Sequence, residues 1–313
     1  MVSQPEHFIT LPIVSKDEDS ARLPLVINVV LKYWGEDIAY RKKEGATELT
    51  NALIVGIEQA ESRGFKSFIY KSSMNDLKKR IDQGVPLIVI MPGIQAIVQH
   101  AMIVSGYSIE ERRILTYIPE PDSMGAIPES KFEHEWKQDD MTAIVVIPSD
   151  MKDLVKNDQL TFVRSNRMCL EAERMRQQGR INDAIERLHQ ATEIDSDNAQ
   201  AWCILGAVYN ETNSDQALSC YETTIKLNPN YYLAYRGLGN YYLKRKDYRL
   251  AELYYSKAID LNPFRFGPIY KNRAIARLEL RDNPGAKEDL MKYLEQMPAA
   301  NDRNEIEQGL AQL

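Results

Sequence analysis

The sequence is poor in cysteine. Its three cysteines, Cys169, Cys203 and Cys220, all follow residue 168, and no two of them have the spacing of a metal-ligating pair such as C-x-x-C. The sequence therefore predicts free, partly buried thiols, no metal site and no cofactor.

The sequence also lacks an excess of positive charge and a long apolar run. A net charge of −6 argues against nucleic acid as a partner, because phosphate-binding surfaces are basic. The longest apolar stretch, "PLIVIMPGIQAIVQHAMIV", is interrupted by Pro, Gly, Gln and His, so it lacks the roughly 20 apolar residues of a membrane span. The segment "MVSQPEHFITLP" does not resemble a secretory signal, so the default expectation is a cytoplasmic protein, or an exported one if a signal was removed.

The composition is that of a folded chain with about two domains. The 313 residues are 44% hydrophobic and 27% charged, which is typical of globular proteins. The patterns in the two halves differ, and they predict a first domain over 1–150 and a linker over 151–162. A helical array is expected over 163–298 and a capping helix over 299–313.

The second half repeats itself with a period near 34 residues. Alanines recur at intervals of 33, 34 and 35 residues, and each follows another small residue by eleven or twelve positions. The two series are Ala184, Ala217, Ala251 and Ala286, and Ala172, Gly206, Gly239 and Ala274. Small side chains at these positions predict pairs of helices that approach each other closely.

These positions resemble the tetratricopeptide repeat, most clearly in "AWCILGAVYNETNSDQALSCYETTIKLNP" and "AYRGLGNYYLKRKDYRLAELYYSKAIDLNP". The resemblance covers 163–298 and implies an all-α solenoid of four repeats whose first helices line a concave, protein-binding groove. The segment "NDRNEIEQGL" is amphipathic and is expected to form the capping helix.

Helical spacing predicts which side chains face the groove. Cys169 and Cys203 are expected there in the first two repeats, and the later positions are basic or amide: Arg236, Asn240, Lys244, Lys271 and Asn272. Some family members hold a partner's C-terminal carboxylate with such residues, and part of that pattern is present. The expected partners are therefore proteins or peptides, including ones with acidic or C-terminal carboxylate groups. The alternative is that these are ordinary solvated polar residues.

The first half combines helical periodicity with short β-rich runs. Helices are expected at "LPLVINVVLKYW", "TELTNALIVGIEQAESRG" and "SMNDLKKRIDQG", the last two ending at Gly64 and Gly84. Strands are expected at "KSFIYK", "PLIVIM", "HAMIVSGY", "RRILTYI" and "TAIVVI". This order predicts an α+β domain with a mostly antiparallel sheet.

The order of these elements, with "VLKYWG", "GVPLIVIM" and a histidine followed by "MIVSGY", resembles the papain-like peptidases that cleave double-glycine leader peptides. In that family the nucleophilic cysteine falls at Arg22, the catalytic histidine at His100 and the residue that orients the histidine at Ile118. A guanidinium is not a nucleophile, and no cysteine precedes residue 169. The resemblance therefore implies a pseudopeptidase rather than an enzyme.

Together the two resemblances predict a non-catalytic adaptor or scaffold that binds polypeptides through the repeat groove and through a degenerate cleft. One alternative is a hydrolase or acyltransferase of unusual mechanism that uses His100 with Ser20. Another is a structural subunit of a larger complex.

Overall fold

The computed structural model describes residues 7–12, 25–36, 49–93, 95, 97–119, 123–156 and 158–313. Contacts within the chain divide it into two compact units. The first unit comprises Met1–Met91 and Ala101–Ala201, and the second comprises Pro92–His100 and Trp202–Leu313.

A sheet of seven antiparallel strands is the centre of the N-terminal half. The strands are β1 (His7–Phe8), β2 (Phe65–Lys71), β3 (Leu87–Pro92), β4 (Gln99–Ser108), β5 (Arg113–Ile118), β6 (Ser123–Pro128) and β7 (Thr142–Pro148). They are ordered β2-β7-β3-β4-β5-β6, and β1 pairs with β4. The expected antiparallel sheet is therefore confirmed. Strands β1 and β6 were not expected, because one has two residues and "SMGAIP" has no run of β-branched residues.

In the described residues, five helices accompany the sheet: α1 (Leu25–Tyr33), α2 (Leu49–Ser62), α3 (Met74–Asp82), α4 (Glu129–Lys137) and the short α5 (Asp153–Lys156). Helix α3 begins where the Ser73 hydroxyl accepts a hydrogen bond of 3.1 Å from the amide of Asp76. Gly64 and Gly84, which follow α2 and α3, have φ angles of +88° and +72°. These left-handed conformations favour glycine, so the predicted helix ends are confirmed.

Alternating residues of β7 build two separate cores. Ile144 and Val146 belong to a buried cluster with residues of α1 and α2, whereas Val145 and Ile147 belong to a second cluster with residues of α3 and α4. Because successive side chains of a strand point to opposite faces, helices cover both faces of the sheet. Trp136 of α4 is fully buried, and its Nε1 donates a hydrogen bond of 3.0 Å to the carbonyl of Thr142.

The first predicted repeat forms two helices, α6 (Val163–Gln177) and α7 (Ile181–Ile194), within the first unit. Leu170 of α6 is buried in the same core as α1 and α2. Arg167 makes two hydrogen bonds of 2.9 and 2.8 Å to the carboxylate of Glu61 on α2. Helix α6 is thus attached to the sheet's helical layer by apolar and ionic contacts.

The remaining helices are α8 (Ala199–Glu211), α9 (Gln216–Leu227), α10 (Tyr232–Lys244), α11 (Tyr248–Leu261), α12 (Pro268–Glu279), α13 (Asn283–Gln296) and α14 (Arg303–Leu310). The four alanines of the repeating series, Ala184, Ala217, Ala251 and Ala286, are all completely buried. The C-terminal half is therefore all-helical with paired helices, as the repeat pattern predicts.

Glycine in the first helix of a pair makes room for a tyrosine of the second. A Cβ atom on Gly239 would lie 2.5 Å from Cδ1 of Tyr255, and one on Gly206 would lie 3.0 Å from Cε1 of Tyr221. Real Cβ contacts are essentially never as short as the first distance and rarely as short as the second, so a side chain at either position needs the tyrosine ring to shift. The small residues of the repeat pattern are thus explained by close contact between α10 and α11 and between α8 and α9.

Helix α14 occupies the position where the sequence predicts a terminal helix. Ile306 and Leu310 pack against the buried residues of α12 and α13. The hydroxyl of Tyr293 donates a hydrogen bond of 2.8 Å to Oδ1 of Asp302, the residue before α14. Tyr293 therefore connects α13 to the start of the last helix.

Candidate protein-binding site

Arg236 is the predicted groove residue with the most unusual surroundings. It lies on α10, is partly buried, and its guanidinium stacks 4.9 Å from the centroid of the Phe266 ring. Its Nε atom is buried and has no hydrogen-bond partner in the described part of the chain. Burial lowers the pKa of Arg236, and the nearby positive charge of Arg265 lowers it further. A negative charge at this point would relieve both effects.

The two predicted asparagines contact each other and a tyrosine. Tyr255 donates a hydrogen bond of 2.7 Å to Oδ1 of Asn240. The amide of Asn272 on α12 donates to the same oxygen at 3.5 Å. These contacts join α10, α11 and α12 and fix the orientation of the Asn240 amide.

The two predicted lysines already have partners. Nζ of Lys244 donates 2.7 Å to the carbonyl of Asn210, near the end of α8. Nζ of Lys271 lies 2.8 Å from Oδ2 of Asp302. Hydrogen bonds from Lys271 and Tyr293 lower the pKa of Asp302. Arg236 therefore differs from the two lysines in having no oxygen partner among the described residues.

The expectation that Cys169 and Cys203 face the groove is wrong. Cys169 is completely buried and Cys203 is 4% exposed. All three cysteines are buried thiols that form no disulfide, and burial raises the pKa of Cys220 to about 11. Helical spacing alone could not distinguish these buried positions from exposed positions on the concave face.

Sequence reasoning missed the turn before α12. Arg265 is completely buried, lies 4.6 Å from the centroid of the Tyr232 ring, and donates from Nε to the carbonyl of Val98 at 3.3 Å. The amide of Gly267 donates to the carbonyl of Gln95 at 2.8 Å. Residues 92–100 thus belong to the second unit through backbone carbonyls, for which a sequence gives no signal.

The positions expected for a peptidase-like site are only partly described. Arg22 and Ser20 lie outside the described residues. His100 is the second residue of β4 and is partly exposed, and Ile118 is the last residue of β5. Strands β4 and β5 pair antiparallel, with Ile103 opposite Tyr117, so the beginning of one strand adjoins the end of the other.

Among the described residues, no three His, Cys, Asp or Glu side chains are grouped so that they could hold a metal ion. In the same ranges, no helix has both the length and the apolar character needed to cross a membrane.

Comparison with known proteins bears on the helical half. Residues 172–213 match a family model described as TPR repeat, and residues 207–265 match one described as tetratricopeptide repeat. No curated protein matches the chain.

Several solved structures resemble part of the chain. A thermophilic TPR protein of Thermus thermophilus is 19% identical, with 52% of this chain and 87% of that chain covered and a TM-score of 0.42. PilF of Pseudomonas aeruginosa is 20% identical, with coverage of 47% and 68% and a TM-score of 0.44. MamA of Desulfovibrio magneticus RS-1 is 18% identical, with coverage of 47% and 89% and a TM-score of 0.41.

The family models, the period near 34 residues and the buried alanines agree with one another. Residues 172–265 of this chain are therefore tetratricopeptide repeats.

Proposed function

We propose that the chain is a non-catalytic adaptor that binds a carboxylate of a partner polypeptide in the groove of its repeats. Arg236 is the observation that carries this proposal. Its guanidinium is partly buried against Phe266, and its Nε has no partner in the described part of the chain. Leaving a buried donor unsatisfied costs about 1–3 kcal/mol, and more when the group is charged, so a partner's carboxylate at this guanidinium would offset part of that cost.

A carboxylate suits this position better than a neutral group. A guanidinium presents parallel N–H donors that match the two oxygens of a carboxylate, and charge-assisted hydrogen bonds are about twice as strong as neutral ones. The Asn272 amide is held by Asn240 on the neighbouring helix. This hydrogen bond is long, at 3.5 Å. If it breaks, the Asn272 amide can donate to the carboxylate of the ligand instead.

Lys244 and Lys271 have a secondary role in this proposal. Lys271 would have to leave Asp302, at 2.8 Å, before it could bind a ligand. Lys244 would have to leave the carbonyl of Asn210. The proposed anchor therefore uses one arginine rather than a cluster of cations, and we expect modest affinity.

A library of fluorescent hexapeptides with free C-terminal carboxylates tests this function. We expect enrichment of peptides whose affinity falls about tenfold on C-terminal amidation and about tenfold with Arg236→Gln, since a charge-assisted hydrogen bond contributes about 1.5–3 kcal/mol. Arg249→Gln is the matched control, because Arg249 is exposed on α11, the second helix of the same pair. Failure to enrich any peptide, or equal binding of amidated peptides, contradicts the proposal.

For the N-terminal half we propose a papain-like pseudopeptidase domain over 1–150 that keeps a cleft for an extended chain. A linker over 151–162, four repeats over 163–298 and a capping helix over 299–313 complete the proposed organisation. The support is the order of elements around "VLKYWG" and His100, together with the arginine at the nucleophile position. Arg22 cannot attack a carbonyl carbon, so this domain binds without cleaving.

A further inference from the structure

A cleft of about 470 Å³ lies within the first unit, and arginines line much of it. Its walls come from α2, β2, α6 and α7. This volume is in the range of small-molecule sites. None of its lining residues belongs to the proposed carboxylate site around Arg236. Neither the repeat pattern nor the peptidase-like order of elements predicts this cleft.

Two ion pairs in the cleft are already complete. Arg167 binds both oxygens of Glu61, at 2.9 and 2.8 Å. Nε of Arg187 donates 2.7 Å to Oε2 of Glu171. Burial lowers the pKa of Arg167, but hydrogen bonding to Glu61 and the charges of Glu61 and Glu171 outweigh that effect and raise it. These four groups are charged and neutralise one another.

Arg164 adds a third guanidinium, for which the described residues supply no carboxylate. It is exposed, lines the cleft, and lies three residues before Arg167 on the same face of α6. Among the described residues that line the cleft, three arginines and two glutamates leave one positive charge in excess. Exposed arginines are common, but this one lines an open cleft together with two further arginines.

A second donor in the cleft also lacks a partner. Oγ of Ser67 on β2 is inaccessible to solvent and has no hydrogen-bond partner among the described residues. Ser67 and Arg164 line the same cleft, together with the apolar side chains of Ile69, Val163 and Met168. Helix α6 begins at Val163 without a side-chain cap, so the positive end of its dipole faces the same region.

We propose that this cleft binds a carboxylate attached to an apolar body. One excess positive charge matches one carboxylate, whereas a phosphate dianion would leave a negative charge uncompensated. The guanidinium of Arg164 would bind the two carboxylate oxygens, and Ile69 and Met168 would contact the apolar part of the ligand. The hydroxyl of Ser67 would donate to the ligand after its side chain rotates toward the cleft. The carboxylate belongs either to an acidic residue of a polypeptide or to a small molecule.

Titrations of the full-length chain with defined probes test this site. The probes are hexanoate and its neutral analogue hexanamide, acetyl-leucyl-glutamate amide and its glutamine analogue, and inorganic phosphate. Two-dimensional NMR that follows the Ser67 and Arg164 amides reports binding even at dissociation constants of about 1–10 mM. We expect hexanoate and the glutamate peptide to bind more tightly than their neutral analogues and more tightly than phosphate. The tighter of the two acids identifies the source of the carboxylate.

Three variants locate the binding. Arg164→Gln is expected to weaken the affinity for the acids about tenfold, and Ser67→Ala about threefold, in line with charged and neutral hydrogen bonds. Arg63→Gln is the matched control, because Arg63 is exposed near α2 and does not line the cleft. The proposal is overturned if neither acid binds, if phosphate binds more tightly, or if Arg164→Gln and Arg63→Gln have the same affinity.

Discussion

The sheet and the helical repeats bury their cores by different means. The sheet packs branched aliphatic side chains such as Ile144 and Val145 in two layers against helices. In the repeats, a glycine of one helix lies directly against a tyrosine of the next, as with Gly239 and Tyr255. Many aliphatic side chains can fill a layer, whereas a glycine under a ring has no substitute of equal size. The repeats therefore impose stricter requirements on the sequence than the sheet does.

The largest effect is expected from a cavity in the sheet's core. Trp136 is fully buried, and Trp136→Ala removes its ring and leaves the carbonyl of Thr142 without the indole donor. We expect a loss of about 3–5 kcal/mol in the free energy of unfolding, measured by urea denaturation. Trp136→Phe keeps most of the volume and should lose less. Equal losses for the two variants would show that volume is not the cause.

A single added methyl group tests the requirement in the repeats. Gly239→Ala forces its Cβ to within 2.5 Å of the Tyr255 ring unless the helices separate. We expect a loss of about 1–3 kcal/mol in the free energy of unfolding, despite the higher helix propensity of alanine.

Gly309→Ala is the matched control for Gly239→Ala, because Gly309 lies in α14 and its Cβ would meet nothing within 4 Å. It should be neutral or stabilising by up to about 1 kcal/mol. If both substitutions stabilise the protein to the same extent, the contrast between sheet and repeats is wrong.

This contrast explains how much of the fold could be predicted from the sequence. The repeats could be predicted because positions where two helices touch, such as Ala217, Gly239 and Ala251, require small side chains. Apolar runs in the sequence predicted five of the strands, namely β2, β3, β4, β5 and β7. Strand β6 could not be predicted in this way, because its residues are mostly exposed and include Gly125.

The candidate site was less predictable than the fold. Spacing indicated Arg236 and Asn240 on one face of α10. It could not show that Lys271 forms an ion pair with Asp302, because the two residues are 31 positions apart and meet only through a turn. Nor could it show that Phe266 packs under Arg236, since turn residues follow no helical period.

The smallest effect concerns the pH dependence of the last repeat. Hydrogen bonds from Lys271 and Tyr293 hold the pKa of Asp302 below its ordinary value. A carboxylate with a lowered pKa in the folded state contributes stability above its unfolded pKa of about 3.9, and the contribution disappears as the pH falls through the folded pKa. The difference in unfolding free energy between the wild type and Asp302→Asn should therefore be constant near neutral pH and shrink in acid.

Asp260→Asn is the control for that series, because Asp260 is exposed on α11 and has no ion pair among the described residues. The difference in unfolding free energy between the wild type and Asp260→Asn should change less with pH than the difference for Asp302→Asn. A difference for Asp302→Asn that stays constant to the lowest pH reached would contradict the account of the α14 contact.

A double-mutant cycle between Arg236 and a peptide's C-terminal carboxylate tests the central claim most directly. The four dissociation constants are those of the wild type and Arg236→Gln, each with the free-acid and the amidated form of one selected peptide. If Arg236 binds that carboxylate, each change alone weakens binding about tenfold, and both together weaken it little further. If the two losses multiply to about a hundredfold, or if neither change alone affects binding, Arg236 does not hold the carboxylate.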